Sequence, residues 1–405
     1  MIISAADRKL DFTIAAPPSK SVYHRELIVR FLCGDTACLS PDDNDNNDIK
    51  ATKACLRSLD AARKNRSSEA VLPCGESGST IRFLIPVAAA YLLGEDKVSQ
   101  RLVFTTEGRL FDRPFGELAD AMKPHGIRIE KDPDTRSIIV TGHMTPGKYV
   151  IDGSVSSQYI SGLLMALPLF DAQSSIEVTG QMKSVHYIEL TLDALSKYKT
   201  PAKQEGNTFL PSFGGYKGDI SGQFKVEGDW SNGAFLLCLQ KWSDIKVTNL
   251  DPASRQGDKA IVDFLKFADE IHSEPVTWDC TDTPDIAPYM AVVSPFLFGQ
   301  MTLTGIGRLR IKESDRVKAV REQLGAIGVK TEETEDTLTI YEYESPRNED
   351  HKEPIVLSSY NDHRMAMCAI LIAVILKARV DIDDLKCLNK SFPEFQEIIR
   401  RELMP

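Results

Sequence analysis

Hydrophobic and polar positions along the chain form two kinds of helical segment that alternate. Six segments start with small or polar residues and continue directly into apolar residues on nearly all sides of the helix: 19–32, 77–90, 156–169, 229–239, 285–296 and 361–374. This pattern predicts buried helices whose polar first residues cap their N-termini.

Six amphipathic segments lie between the buried ones, with apolar residues at i, i+3, i+4 and i+7. They cover residues 48–59, 113–126, 186–198, 258–271, 315–328 and 392–403. This spacing predicts surface helices. Short β-branched stretches at 127–132, 137–142, 329–333 and 337–342 predict strands between them. Each pair of helices with its strands therefore forms a small α/β repeat, and 405 residues suffice for two lobes of three repeats.

Charge and composition exclude several classes of protein. The net charge of −10 argues against a broad nucleic-acid surface, and no apolar run is long enough for a membrane helix. Charged residues at 7–9 do not fit a signal peptide, so we expect a cytoplasmic protein. The eight cysteines include no CxxC pair, which gives no support for a zinc site or a disulfide framework. We expect a monomer without metal or cofactor.

Basic residues collect at the predicted helix starts in spite of the acidic balance. Lys20, Arg25, Arg82 and Arg364 lie in buried segments, whereas Arg113, Lys312, Arg316 and Lys390 lie at or before surface ones. Unpaired amides at a helix N-terminus favour anions, and a guanidinium matches carboxylate or phosphate oxygens in pairs. The sequence therefore predicts a small ligand with two or three negative charges.

Nine strings resemble, in order and over nearly the whole chain, the motifs of the EPSP synthase (5-enolpyruvylshikimate-3-phosphate synthase) family. They are PPSKSVYHR (17–25), CGESGSTIRFL (74–84), DRPFGEL (112–118), GSVSSQYISGLLMALPL (153–169), EGDWSNGAFLL (227–237), DTPDIAPYMAV (282–292), RIKESDRV (310–317), YNDHRMAM (360–367) and KSFPEF (390–395). Nine motifs in order make a specific signal.

The resemblance implies an α/β (α+β) fold of the inside-out α/β barrel type, a two-lobed clamp in which each lobe has three βαβαββ repeats. It places residues 1–13 and 228–405 in lobe I, with the phosphoenolpyruvate and catalytic groups, and residues 14–227 in lobe II, on the shikimate 3-phosphate side. The active site is expected in the cleft between the lobes. The implied reaction transfers the enolpyruvyl group of phosphoenolpyruvate to the 5-hydroxyl of shikimate 3-phosphate through a tetrahedral intermediate.

The resemblance also implies two sets of binding residues. Those for shikimate 3-phosphate are Lys20, Ser21, Arg25, Ser156, Ser157, Gln158, Ser184, Tyr187, Asp285 and Lys312. Those for phosphoenolpyruvate are Lys20, Gly78, Arg113, Gln158, Lys312, Arg316, Arg364 and Lys390.

Proton transfer in such a reaction requires a base for the hydroxyl and an acid for the enol carbon. Asp285 and Glu313 are the candidate carboxylates, with Lys20 as a third group and His363 as a further candidate. The pattern leaves open which carboxylate performs which step. The structural alternatives are a helix cap for Asp285, a surface ion-pair partner for Glu313 and a packed side chain for His363.

Glu76, Arg308 and the stretch from Leu59 to Val71 depart from the family pattern; Arg308 stands where many members have Asn and adds a charge of favourable sign. Glu76 occupies a position where many members have Asn, and its charge would repel an anionic ligand unless it is paired or points away. The stretch from Leu59 to Val71 is too short for the expected hairpin, which predicts a trimmed repeat. Because Gly78 is retained, sensitivity to glyphosate is expected.

Three rival functions are possible, and the sequence disfavours each. The related enolpyruvyl transferase that acts on UDP-N-acetylglucosamine uses a loop cysteine, but residues 100–113 contain none. A catalytically inactive binder of the same fold would be expected to lose Lys20, Asp285 or Glu313, and all three are present. An RNA-end cyclase with similar repeats would need a nucleotide site, which the acidic balance disfavours.

Overall fold

The computed structural model describes residues 1–5, 10–94, 98–222, 224–270, 274–344 and 353–404. The charged residues 7–9 and the last predicted position of the 258–271 segment lie outside this part of the chain. Within it, the α-helices are α1 (Lys20–Leu32), α2 (Asn47–Asn65), α3 (Gly78–Leu92), α4 (Gly116–Met122), α5 (Ser157–Ala166), α6 (Val185–Lys197), α7 (Trp230–Lys241), α8 (Ile261–Phe267), α9 (Ala287–Val293), α10 (Arg316–Ala326), α11 (His363–Leu376) and α12 (Phe395–Glu402).

The strands are short, from three to six residues. They are β1 (Ile2–Ser4), β2 (Thr13–Ala15), β3 (Glu69–Pro73), β4 (Arg101–Thr105), β5 (Ile127–Asp132), β6 (Ser137–Gly142), β7 (Lys148–Asp152), β8 (Ser175–Thr179), β9 (Ala202–Glu205), β10 (Thr208–Pro211), β11 (Lys246–Thr248), β12 (Val276–Asp279), β13 (Gln300–Thr304), β14 (Thr331–Glu333), β15 (Thr337–Tyr341), β16 (Ile355–Leu357) and β17 (Arg379–Ile382).

Three four-stranded sheets share one topology. Their strand orders are β3-β4-β6-β5, β7-β8-β10-β9 and β12-β13-β15-β14. In each sheet the first two strands are parallel and the other neighbours are antiparallel, as in the β4–β6 register Val103 to Ile139. Each of these sheets comes from one βαβαββ run along the chain, so the predicted α/β fold is confirmed, and the predicted repeating unit is complete in three of the six places within the described residues. Smaller sheets have the orders β1-β17-β16 and β11-β2.

Helix burial follows the predicted alternation. Helix α11 is buried at every position from His363 to Val374, whereas the following α12 buries only Phe395 and Ile399. Likewise α9 is buried along its whole length, and α8 buries only Ile261 and Phe264. The all-round apolar pattern therefore marks helices that pack inside the units, and the amphipathic pattern marks helices that cover them.

The chain divides into two compact units, each with its own hydrophobic core. The first unit consists of Met1–Ser19 and Glu227–Pro405, and the second is Lys20–Val226. Residues 14–19 thus lie with the first unit, whereas the sequence assigned them to lobe II. The reason is that β2 pairs with β11, with Ile14 opposite Val247.

Two local differences from a complete set of repeats have clear causes. Helix α2 continues to Asn65 and β3 starts at Glu69, so no hairpin fits between them, as the short stretch predicted. The segment from residue 113 was predicted as helix, but Arg113 is extended, with φ −67° and ψ 151°. Because Pro114 disfavours helical geometry at the preceding residue, α4 begins only at Gly116.

Helices over the described residues are too short or too polar to cross a membrane.

Candidate active site

Four helix N-termini meet in the first unit. Asp362 caps α11 by accepting from the Arg364 amide at 2.9 Å. The Arg364 guanidinium donates to the carbonyl of Ser231 in α7 and to the hydroxyl of Tyr289 in α9, both at 2.9 Å. Arg316, the first residue of α10, donates through Nε to Asp362 at 2.8 Å. The predicted helix starts at 229, 285, 315 and 361 therefore converge at one place.

Arg316 is the centre of this cluster and is 2% exposed. Its Nη1 donates to Asp285 at 3.1 Å and its Nη2 to Glu313 at 2.7 Å, in addition to the bonds to Asp362. Burial alone would lower the pKa of Arg316, but the three carboxylates raise it above the ordinary arginine value. The guanidinium is thus permanently charged and paired with three carboxylates of its own unit.

Asp285 connects the cations of this cluster. Besides Arg316 it contacts Lys312, with Nζ 3.4 Å from Oδ1, and Arg364, with Nη2 4.0 Å from Oδ2. Burial raises its pKa, but Lys312, Arg364 and Arg316 outweigh burial and hold the pKa of Asp285 below its usual range. The carboxyl is therefore ionised at neutral pH and can accept a proton but has none to donate.

Two further predicted residues lie at the start of α11. Lys390 donates to the carbonyl of Asn361 at 2.7 Å. His363 is 2% exposed, with Nδ1 3.7 Å from Asp362 Oδ1. The Lys390 bond joins the turn Lys386–Lys390 to the start of α11.

In the second unit, Gly78 begins α3 directly beside two arginines. A Cβ on Gly78 would overlap Arg113 Nη1 and lie 3.0 Å from Arg82 Nη1. Arg82 donates to Gln158 Oε1 at 2.9 Å, and Gln158 Nε2 donates to Ser79 at 2.9 Å. Helices α3 and α5, with the extended residue Arg113 before α4, therefore place Gly78, Arg113 and Gln158 together around the first turn of a helix, where an anion is favoured.

Arg25 is a buried cation with neutral partners. It is 1% exposed and donates to Thr191 Oγ1 and to the carbonyls of Ser21 and Tyr187, each at 2.7 Å. Its Nη2 also lies 3.4 Å from Ser161 Oγ. Burial lowers the pKa of Arg25 to about 9, so the group is still charged at neutral pH. An anionic ligand would compensate this charge.

Other predicted residues of the second unit lie at helix starts. Lys20 begins α1 and its ammonium is 2.9 Å from Asp48. Ser156 caps α5 by accepting from the Gln158 amide at 3.3 Å, and Ser157 is buried at the first position of that helix. Ser184 precedes α6 in the left-handed conformation, with φ 55°, which is uncommon for a residue other than glycine.

Glu76 lies against the backbone of a neighbouring turn. Gly108, with φ +54°, is so close that a Cβ there would overlap the Glu76 carboxylate. Gly75 accepts from the Glu107 amide at 2.7 Å, which joins the same two segments. The Glu76 carboxylate is therefore packed on the 107–108 turn, and only a residue without a side chain fits opposite it.

Sequence reasoning missed the residues that hold these side chains. Asp362 has no exposed surface and binds Arg316, but the sequence pattern assigned it no role beyond its place in the string NDHR. Asp48 was expected only as the first residue of a surface helix, but it pairs with Lys20. Arg82 was singled out as a cation of α3 without a role at Gly78. Each of these three residues lies within four positions of a predicted site residue or helix start. Proximity along the sequence was therefore the signal that could have identified them.

Known proteins match this chain over nearly its whole length. A family model for EPSP synthase (3-phosphoshikimate 1-carboxyvinyltransferase) matches residues 5–399. The 3-phosphoshikimate 1-carboxyvinyltransferase of Clostridium kluyveri is 32% identical, with 98% of this chain and 96% of the relative covered. That of Clostridium novyi is 31% identical, with 96% and 94% covered. The fold is similar to a solved EPSP synthase from Acinetobacter baumannii, with a TM-score of 0.71 at 19% identity, covering 99% of this chain and 98% of that one. The chain belongs to the EPSP synthase family.

Proposed function

We propose that this protein transfers the enolpyruvyl group of phosphoenolpyruvate to the 5-hydroxyl of shikimate 3-phosphate and releases phosphate. Family membership supports the reaction. The observation that carries it at the level of the site is the cluster of Lys312, Arg316 and Arg364 around the ionised Asp285. Such a cluster provides both charge for an anionic substrate and a proton acceptor.

Phosphoenolpyruvate is assigned to the cation-rich helix starts. In the first unit these are Lys312, Arg316, Arg364 and Lys390, and in the second unit Lys20, Gly78, Arg113 and Gln158. The absence of a side chain at Gly78 supports the assignment, because the Arg113 guanidinium occupies that space and presents its donors beside the first turn of α3. Planar guanidinium groups suit both the carboxylate and the phosphate of this substrate.

Shikimate 3-phosphate is assigned mainly to the second unit. Arg25 supports the assignment, since it is buried and charged among neutral oxygens and would gain a partner from a carboxylate ligand. Ser156, Ser157 and Ser184 lie at the starts of α5 and α6, where hydroxyl and amide donors favour a phosphate. Ser21, Tyr187, Asp285 and Lys312 complete the proposed set.

The reaction forms one carbon–oxygen bond and breaks another. The 5-hydroxyl oxygen adds to C2 of phosphoenolpyruvate and loses its proton, while C3 gains a proton, which gives a tetrahedral intermediate. Loss of phosphate from C2 and of a proton from C3 then restores the C2–C3 double bond and gives the enol ether. Asp285 is proposed as the acceptor of the hydroxyl proton because it is ionised at neutral pH, although the cations that lower its pKa also weaken it as a base. Lys20 or Glu313 is proposed to exchange the proton at C3, and the cations stabilise the leaving phosphate.

Phosphate release tests the proposal. The purified chain is incubated with phosphoenolpyruvate and shikimate 3-phosphate, and in parallel with UDP-N-acetylglucosamine as the acceptor. We expect phosphate release with the first acceptor and none with the second. Release with neither acceptor, from protein that is folded by circular dichroism, would refute the enzymatic assignment, and release only with the second would favour the related transferase.

A further inference from the structure

Asp258 is a buried carboxyl group that the proposed reaction does not use. The sequence pattern treated it as the first residue of a surface helix, but it is 3% exposed and lies in the 3₁₀ turn Gly257–Ala260 before α8. Its Oδ2 accepts a hydrogen bond from the hydroxyl of Ser231 in the first turn of α7. Burying a carboxyl group costs folding free energy unless the group is hydrogen-bonded. The burial of Asp258 against Ser231 therefore needs a structural or functional reason.

Gln256, two residues before Asp258, also forms hydrogen bonds at the start of α7. Gln256 Oε1 accepts from the Trp230 amide at 3.1 Å, and Gln256 Nε2 donates to the Gly228 carbonyl at 2.8 Å. Gly228, Trp230 and Ser231, at the start of α7 and just before it, are thereby held by Gln256 and Asp258. The carbonyl of one of them, Ser231, accepts from Arg364 at 2.9 Å. Ser231 is therefore hydrogen-bonded both to the Asp258 carboxylate and to the Arg364 guanidinium.

The surroundings of Asp258 place it in the electrostatic field of the cation cluster. Burial and the charge of Asp285 raise the pKa of Asp258 to about 6, and Asp229 acts in the same direction. The Ser231 hydrogen bond and Arg364 oppose this rise. The charge of Asp258 therefore changes close to neutral pH, where the charges of Arg364 and Asp285 are constant.

We propose that Asp258 is a positioning residue for Arg364: through Ser231 it holds the start of α7 where the Ser231 carbonyl fixes the Arg364 guanidinium for the anionic substrate. The proposal rests on the proposed function, in which Arg364 binds phosphoenolpyruvate. Asp258 itself touches no substrate in this scheme. Its ionised form holds Ser231 by a charge-assisted hydrogen bond, which is stronger than the neutral one.

The kinetic test compares Asp258→Ala, Asp258→Asn and Ser231→Ala with the wild type at saturating shikimate 3-phosphate. We expect Asp258→Ala to raise KM for phosphoenolpyruvate by about tenfold, the equivalent of one charge-assisted hydrogen bond, with kcat changed less than about twofold. Ser231→Ala, which removes only the hydroxyl, should raise KM in the same direction. Asp263→Asn, an exposed carboxylate of α8, is the matched control and should leave both constants unchanged.

The pH dependence separates positioning from general stability. Asn at 258 imitates the protonated carboxyl, so the ratio of KM for Asp258→Asn to wild-type KM should be near one at about pH 5 and rise severalfold above about pH 7. A loss of stability alone would lower the active fraction and leave this ratio independent of pH. Unchanged KM in all three variants, or a ratio constant with pH, would overturn the proposal.

Calorimetry measures the binding of phosphoenolpyruvate in the absence of an acceptor. This measurement tests the role of Asp258 without requiring turnover. If the wild type binds phosphoenolpyruvate but releases no phosphate, the proposed function fails and weaker binding by Asp258→Ala still supports positioning. Equal binding by the wild type and Asp258→Ala, or no binding by either, contradicts the proposal for Asp258.

Discussion

Two buried arginines, one in each unit, are compensated in opposite ways. Arg316 in the first unit is surrounded by Asp285, Glu313 and Asp362, and its pKa is raised. Arg25 in the second unit is equally buried, but its hydrogen-bond acceptors in the described chain are carbonyl and hydroxyl oxygens, and its pKa is lowered to about 9. An anion bound at Arg316 would compete with internal carboxylates, whereas an anion bound at Arg25 would meet a cation whose hydrogen-bond acceptors among the described residues are all neutral.

The largest expected effect is from Arg316→Met. It leaves three carboxylates without their common cation, so we expect the free energy of unfolding to fall by about 3 to 5 kcal/mol and turnover to be lost. Denaturant unfolding followed by hydrogen exchange in the first unit measures this change. Arg321→Met is the control, since Arg321 lies in the same helix with a partly exposed pair to Glu333 and should cost less than about 1 kcal/mol. Equal losses in the two variants would remove the contrast between the units.

Arg25→Met should affect ligand binding more than folding. We expect the affinity for shikimate 3-phosphate to fall by about 2 to 3 kcal/mol, because a charged hydrogen bond to the ligand is lost, while the free energy of unfolding falls by less than for Arg316→Met. Calorimetry with shikimate 3-phosphate measures the affinity. The control is Arg30→Met in the same helix, which removes a pair with Asp35 at 2.6 Å and should lower stability without weakening binding. Unchanged affinity in Arg25→Met would show that Arg25 is only structural.

Gly78→Ala tests whether the helix start of the second unit is shaped for an anion. The new Cβ must displace the Arg113 guanidinium, so we expect KM for phosphoenolpyruvate to rise by about tenfold and inhibition by glyphosate to weaken. Steady-state kinetics at saturating shikimate 3-phosphate measure both. Gly116→Ala is the control, because a Cβ there meets nothing within 4 Å. Equal kinetics for the two variants would contradict an anion site at Gly78.

The smallest expected effect is a pH dependence of stability that arises in the second unit. Burial, with the charges of Lys20 and Arg25, holds the pKa of His24 well below the ordinary histidine value of about 6.5, and its Nδ1 is 2.8 Å from Thr52 Oγ1. Below about pH 6.5 the unfolded chain binds a proton that the folded chain does not, so stability falls by up to about 1.4 kcal/mol per pH unit from this group. Thermal unfolding between pH 5 and 8 should show a smaller fall in His24→Asn. An identical fall in the variant would assign the effect to other groups.

Local pattern was sufficient for the elements and for most of the candidate site. The predicted strands 127–132 and 137–142 are β5 and β6 to the residue, and the six all-round apolar segments are the buried helices. The period of hydrophobic residues is a local property of the sequence. It predicts burial in the folded structure because each helix must bury its own apolar surface. The trimmed repeat after α2 was also visible, since too few residues remain there for a hairpin.

The partners of the site residues were beyond local pattern. The charge of Glu76 was expected to repel an anionic ligand, but the carboxylate packs on Gly108, which is distant in the sequence. Arg113 was expected in a helix and is extended because of Pro114, a rule of local sterics that the amphipathic pattern obscured. Asp258 was expected at the surface, and its burial depends on how the turn before α8 packs on α7.

The sequence by itself determined the family, the α/β repeats and the cations at the helix starts, because motifs and periodicity are written in neighbouring residues. Only the tertiary structure decided which charge each cation meets: Arg316 meets Asp362 forty-six positions away, and Arg25 meets Thr191 across 166 positions. Charge compensation depends on distance and burial in space. Neither quantity can be read from residues that become neighbours only when the chain folds.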